Sequence, residues 1–207
     1  MIHPTKSDWE ATPKWYDANS DLFIDRALNL APSADLTDFI SRLRPGAKVL
    51  DAGCGTGRDL KFFLSHAFDA HGLDASQSMV EHSRTLIGDP RRVRHLMLQD
   101  YRDAEGSWDA IWAMASLIHV PRKEIAVVAA RLLSSLRPGG LLFANFKSGA
   151  KEIKDSENRA MTLLSEREAL QIFLPLMGPN MRASVRSVEA KDSRGKWISW
   201  TTVLVRA

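Results

Sequence analysis

The segment Val49-Leu50-Asp51-Ala52-Gly53-Cys54-Gly55-Thr56-Gly57-Arg58-Asp59 constrains this chain more than any other. Lys48 to Asp51 reads as a short buried strand, the alternating glycines as a loop, and Arg58 to about Ala67 as a helix. Glycine accepts positive φ and lets a ligand lie against the backbone with no Cβ in the way. A helix start behind such a loop offers free N–H groups and the positive end of the helix dipole. The unit therefore predicts an α/β fold with a ligand at the carboxyl edge of a sheet. A dinucleotide loop would need glycine at position 58, where Arg58 stands, so the spacing argues against a pyrophosphate-binding oxidoreductase.

The rest of the chain extends that pattern. Two helical segments lead in, one over about Trp15 to Leu30 and one capped by Ser33 and carrying Leu36, Phe39, Ile40 and Leu43. After the first glycine-loop unit come strands at Phe68 to Leu73, Val93 to Leu98, Trp108 to Ala113 and Leu141 to Phe146. Helices intervene from Ala75-Ser76 to about Ile87 and from Pro121 through Leu136, the latter ended by Arg137-Pro138-Gly139-Gly140. This alternation predicts a doubly wound, mostly parallel sheet with helices on both faces. Lys147 to Arg159, polar and charged, reads as a mobile loop. Ser165 with Glu168 forms a capping box for a helix through Leu176. Ala183 to Val188 and Trp197 to Val205, joined by Lys191 to Gly195, read as an antiparallel hairpin at the sheet edge. The expectation is a single domain: a helical cap over 1–44, a cofactor-binding core over 45–147, and a lid loop, helix and strands over 148–207.

Asp74 supplies the second half of a site. It ends the second strand, 21 residues after Gly53, where a carboxylate can accept hydrogen bonds from both hydroxyls of a ribose. Together, the loop and the acid point to an adenosine-containing ligand.

These residues resemble the class I S-adenosylmethionine-dependent methyltransferases. Val49 to Gly57 is similar to their first motif, and Leu73-Asp74-Ala75-Ser76 with Met79 to their second. Gln99-Asp100 resembles the adenine-contacting element, and Leu136 to Leu141 the turn before the fifth strand. Within the class the chain is most similar to small bacterial tellurite-resistance-like and uncharacterised methyltransferases. The shared residues are Tyr16-Asp17, Gly57-Arg58-Asp59, Ala115-Ser116-Leu117-Ile118-His119-Val120-Pro121 and Phe146-Lys147-Ser148-Gly149. The resemblance implies a seven-stranded Rossmann-like sheet, with S-adenosylmethionine as cofactor and S-adenosylhomocysteine as product. It implies that Gly53 and Gly55 lie against the methionine moiety, Asp51 orients its amino group and Asp74 holds the ribose. Ala75, Gln99, Asp100 and the Tyr101 backbone would surround the adenosine, with Met79 on the adenine face and Arg58 at the loop's end. Ala115 and Tyr16 would border the sulfonium. Met79 and Ala115 suit core filling equally well, and Tyr16 suits an anchor for the first helix.

The acceptor side rests on fewer residues. His119, beyond the fourth strand, is the candidate catalytic base or acceptor contact; a lone histidine is more often a structural group, bonded for example to a backbone carbonyl. Tyr16, Lys147 and Arg159 are the candidate acceptor-binding residues, and with Arg58 the two cations would form a rim for an anion; each is also acceptable as a solvated charge. The expected function is methyl transfer by in-line displacement to a small acceptor, anionic or carrying a heteroatom nucleophile. The alternatives are an RNA or protein methyltransferase, and a non-catalytic S-adenosylmethionine-binding regulator.

Composition bounds these readings. The chain holds 28 Lys+Arg against 25 Asp+Glu, a formal +3 spread over 207 residues, which is a weak signature for nucleic acid. One cysteine excludes an internal disulfide and a CxxC site. The 6 histidines show no metal-ligand spacing, so no metal is expected. The longest charge-free apolar stretch, Ala110 to Pro121, is short of the ~20 residues of a membrane span, and the first residues do not form a secretory signal. A cytoplasmic protein with a reduced thiol is the expectation.

Overall fold

The computed structural model describes residues 3–28, 30–192 and 195–207. Asn29, next to the expected end of the first helix at Leu30, and the hairpin residues Ser193 and Arg194 lie outside the described residues. The chain opens with three helices, α1 (Lys6–Ala18), α2 (Ser20–Leu28) and α3 (Ala34–Ser41). An alternating core follows: β1 (Lys48–Ala52), α4 (Arg58–Ser65), β2 (Asp69–Asp74), α5 (Gln77–Ile87), β3 (Val93–His95), β4 (Trp108–Ala113), α6 (Arg122–Ser134) and β5 (Leu136–Lys147). A small hairpin, β6 (Lys151–Lys154) and β7 (Ala160–Leu163), precedes α7 (Glu166–Phe173) and the closing strands β8 (Arg182–Lys191) and β9 (Trp197–Arg206).

Seven strands form one sheet in the order β3-β2-β1-β4-β5-β9-β8. The first five run parallel, and β9 and β8 add the antiparallel edge. The fold class is the one expected from the sequence. Strand order reverses between β1 and β4, which opens a crevice at their carboxyl ends.

Side chains alternate across each strand, so neighbouring residues enter different cores. Val49, Trp112 and Phe143 meet Leu36 and Phe39 of α3 and Leu60 and Phe63 of α4. Trp112 stacks on Phe143 at 4.2 Å. Leu50, Ile111 and Leu142 face the opposite side, against Ile125 and Leu132 of α6 and Phe173 of α7. Burying a side chain of this size stabilises by roughly 1.5–3 kcal/mol, so both helical layers are held mainly by apolar area.

The helix starts follow their side chains. Ser33, Ser76 and Ser165 each accept a backbone N–H in the first turn, and Glu168 completes the reciprocal box at α7.

Several boundaries differ from expectation. The first helix begins at Lys6 rather than Trp15, with Asp8 accepting from the Thr5 N–H and Pro13 inside the helix. It breaks at Asn19 into two helices instead of continuing. β3 stops at His95, and Leu98–Asp100 is a single turn. Arg137 to Gly140 forms a jog within β5, because Leu136 already pairs with Trp108 before the register shifts and Leu141 pairs with Ala110. The largest correction concerns Lys147 to Arg159, read as a mobile loop. It contains β6, which pairs with β7 from Lys151↔Leu163 to Lys154↔Ala160, and all four β7 residues are buried.

That hairpin ties the N-terminal helices to the core. Ala160 N–H donates to Thr12 Oγ1 at 3.1 Å, Lys154 pairs with Asp8 at 2.8 Å, and Arg26 pairs with Glu157 at 2.8 Å. At the other end of α1, Asp17 Oδ1 accepts from Ser76 Oγ and the Ser78 N–H, docking the helix on the start of α5.

Candidate active site

A cavity of about 360 Å³ opens at the carboxyl ends of β1 and β4. Its first wall is the glycine loop. The Gly53 and Cys54 N–H groups donate to the Leu73 carbonyl, stitching the loop to the end of β2. Gly57 takes φ +79 at the start of α4, and a Cβ there would run into Ser83 Oγ. Gly53, at φ +88, has no room for a Cβ against the Ser116 side chain. Close packing between the β1 and β4 loops, as much as ligand access, explains that glycine.

Asp74 lies at the hinge of this wall. Its Oδ2 accepts from the Gly55 N–H and its Oδ1 from the Ser76 N–H, both at 2.9 Å. Burial pushes its carboxyl above the usual range, opposed by the backbone N–H groups of Ser76, Gly55 and Ala75. Each carboxylate oxygen has a further lone pair, so the group can still accept from a diol.

Asp51 is 3% exposed, and its Oδ2 has no hydrogen-bond partner among the described residues. Burial first, and Asp59 second, raise its carboxyl well above the usual range, against the pull of Arg58. An orphaned buried carboxylate oxygen is costly unless a ligand supplies a donor. Ser116 Oγ, on the same cavity, is likewise buried without a partner. An ammonium therefore fits the unpartnered Asp51 Oδ2, and a nucleoside diol fits the remaining lone pairs of Asp74.

The second wall comes from the helical cap and the hairpin. Arg159 is 5% exposed. It donates to Asp155 Oδ2 through Nε and Nη2, at 3.1 and 2.7 Å, and through Nη1 to Tyr16 Oη at 2.9 Å. Glu157 Oε2 lies 2.9 Å from Nη2 without a hydrogen bond, a coulombic contact. Tyr16 Oη also meets His119 Nε2 at 3.0 Å, and His119 Nδ1 meets the Ala160 carbonyl at 2.9 Å. A carbonyl only accepts, so Nδ1 carries the proton and the neutral ring accepts at Nε2 from Tyr16. Burial lowers the His119 pKa to about 4 and raises that of Tyr16 to about 12, so both are neutral at pH 7.

Of the residues singled out in the sequence, Tyr16, Asp51, Gly53, Gly55, Arg58, Asp74, Ala75, Met79, Gln99, Ala115, His119, Lys147 and Arg159 meet on this one cavity. Asp100 and Tyr101 do not: Asp100 is exposed, and Tyr101 is fully buried with its hydroxyl on Ser135 Oγ at 2.7 Å. The expected cationic rim is also altered. Asp155 and Glu157 balance Arg159, and Asp59 Oδ1 accepts from Arg58 Nε at 2.7 Å. Sequence reasoning missed Asn145, whose Oδ1 accepts from the Ala115 N–H at 2.6 Å and holds Ala115 at φ +51. The lone polar residue inside the apolar run Leu141 to Phe146 was the available signal. It also missed Ser116 and the β8–β9 side of the cavity, represented by Val188 and Trp200.

Among the described residues no group of three or more His, Cys, Asp or Glu side chains is placed to hold a metal. No helix there is long and apolar enough to cross a membrane. Residues 49–140, from β1 to the jog in β5, match the family model described as a methyltransferase domain.

Over these residues the chain is similar to a methyltransferase domain.

It is 32% identical over 108 residues to the 2-methyl-6-phytyl-1,4-hydroquinone methyltransferase of Synechocystis sp., covering 50% of this chain and 33% of that protein. It is 33% identical over 116 residues to the trans-aconitate 2-methyltransferase of Deinococcus radiodurans, covering 54% of this chain and 42% of that one. The chain thus spans less than half the length of both curated relatives. The solved DhpI-SAM-HEP complex shares the fold end to end, with TM-score 0.67 at 20% identity, covering 99% of this chain and 100% of that one.

Proposed function

We propose that this methyltransferase domain binds S-adenosylmethionine and transfers its methyl group to a small molecule, leaving S-adenosylhomocysteine. The observation that carries this is the convergence of Asp51, with its unpartnered Oδ2, and Asp74 on one cavity at the sheet's switch point. In this reading Asp74 holds the ribose hydroxyls, Asp51 Oδ2 receives the amino group, and Gly55 leaves the backbone open to the methionine chain. Met79 and Gln99 border the adenine. When bound, the cofactor supplies a methyl group activated by a positively charged sulfur.

The protein's tasks are then to align the acceptor and exclude water, and orientation alone supplies roughly 7–11 kcal/mol of such a barrier. Trp9, Thr12 and Pro13 of α1 cover the cavity for that purpose. A small acceptor is supported by this roof and by the curated relatives, both named for small-molecule methylation. A nucleic-acid acceptor gains no support from Arg91, Arg92 and Arg94, because Asp89, Asp69 and Asp103 pair with them.

Calorimetric titration with S-adenosylmethionine tests the reading. Hydrogen bonds to a charged group contribute about 1.5–3 kcal/mol, so Asp74→Ala should weaken binding about 10- to 150-fold. No binding by the wild type, or equal binding by the variant, overturns it.

A further inference from the structure

Five acids, four cationic side chains and the neutral His119 line the cavity among the described residues. Arg58 and Arg159 are already matched by carboxylates. That balance does not suit an anion as the acceptor. A neutral hydroxyl acceptor brings a proton that has to leave as the methyl arrives, which calls for a base.

The groups that could take it are already connected. Arg159 can only donate and the Ala160 carbonyl can only accept, so every link between them has one direction. Arg159 donates to Tyr16 Oη, Tyr16 O–H donates to His119 Nε2, and His119 Nδ1–H donates to Ala160. Among the described residues nothing else bonds to Tyr16 Oη, which keeps one lone pair, and both rings face the cavity.

We propose that Tyr16 and His119 form a proton relay for the reaction proposed above, and that the acceptor is accordingly a neutral hydroxyl compound. Tyr16 Oη takes the acceptor's proton while its own proton passes to His119 Nε2. An oxygen lone pair of the acceptor forms the bond to the methyl carbon, and the electron pair of the breaking C–S bond leaves on sulfur. The positive charge lost by sulfur reappears transiently on the His119 ring, where the Ala160 carbonyl and Asp155 support it against burial and the charges of Arg159 and Lys147. Arg159 is the positioning residue: its bond to Tyr16 Oη fixes the direction of the relay and steadies the oxygen as its proton moves.

The surroundings are complete on every side. Tyr16 faces Arg159 and Asp155 from the β6–β7 hairpin and Asp74 from β2. His119 faces Arg159, Asp155 and Lys147 at the end of β5.

The test is single-turnover release of S-adenosylhomocysteine with a panel of alcohols and phenols against carboxylates, phosphonates, thiols and amines. Turnover should favour the hydroxyl compounds and show a solvent deuterium isotope effect. Tyr16→Phe and His119→Gln should each lower the rate constant about 10²–10⁴-fold, the usual range for positioned proton transfer. Cofactor affinity, measured separately by calorimetry, should stay within threefold. A wild type that does not bind the cofactor refutes the methyltransferase reading instead. Nitrogen-15 NMR of the wild type, which needs no acceptor, should show His119 protonated at Nδ1. The proposal is overturned by an Nε2–H ring, by turnover confined to anions or amines, or by no turnover of any hydroxyl compound in a protein that binds the cofactor. It is also overturned by a Tyr16→Phe rate within threefold of wild type.

Discussion

Replacing Arg159 with Met removes a buried charge while keeping much of the side chain's apolar stem. The wild-type guanidinium has a side chain 6% exposed, beside Asp155 at 7% and Glu157 at 17%. Its loss leaves the Asp155 carboxylate and Tyr16 without their cation, while Glu157 keeps Arg26. Breaking a buried pair in this way costs about 3–5 kcal/mol. For a domain of 150–250 residues each kcal/mol moves Tm by about 2–4 °C, so the variant should melt roughly 6–20 °C lower at pH 7. The sign with pH is also fixed. Burial pushes the Asp155 carboxyl up, but the hydrogen bonds and charge of Arg159 outweigh it and hold the group below 3.8. A depressed carboxyl stabilises the fold above its unfolded pKa and loses that contribution as pH falls through the folded value. In the variant the uncompensated Asp155 carboxylate takes up a proton as pH falls, so the gap to wild type should narrow between pH 7 and 4. Differential scanning calorimetry at both pH values reads the effect. A gap of about 1 kcal/mol or less at pH 7, the value of an exposed pair, refutes the reasoning, as does a gap that is constant with pH.

Other consequences follow from the same walls. Gly57→Ala meets both positive φ and Ser83, and overpacking of this kind adds about 1–3 kcal/mol to a left-handed cost of about 1–2. Gly55→Ala, with φ +50 and only Phe23 at 3.9 Å, should cost the backbone part alone yet weaken S-adenosylmethionine binding. Urea unfolding and calorimetry separate the two, and equal ΔΔG at both positions would contradict the packing account. His119 is held neutral by burial with a folded pKa near 4, below the ordinary histidine value of 6.5. The unfolded chain then binds the extra proton first, so His119 destabilises the fold progressively as pH falls from 6.5 to 4. Denaturation of His119→Gln should show a smaller acid-side loss in that window, and an unchanged slope would place the ring in solvent.

What the sequence disclosed was local. The serine caps at 33, 76 and 165 act through neighbours a few residues away, and the glycine loop and Asp74 stand at a fixed spacing in strand–loop–helix units, so both can be read in order along the chain. Trp108 to Ala113 is a strand with the bounds its apolar run suggests. The missed features depend on partners distant in sequence. β6 looks polar because its residues are half exposed, and only the buried β7 beyond the turn reveals the pairing. Arg159 resembles a surface cation until Tyr16, 143 residues away, is brought to it. Asp100 stands beside the motif that suggested it, but the turn at Leu98–Asp100 faces it to solvent.

The central claim is tested most directly by following the methyl group itself. The protein is incubated with methyl-labelled S-adenosylmethionine and the hydroxyl panel, and small-molecule and macromolecular fractions are separated. The account predicts label in a small hydroxyl compound, in amounts equal to the S-adenosylhomocysteine formed and reduced with Asp74→Ala at subsaturating cofactor. Label found only in protein or RNA, or cofactor bound with no label transferred, would contradict it.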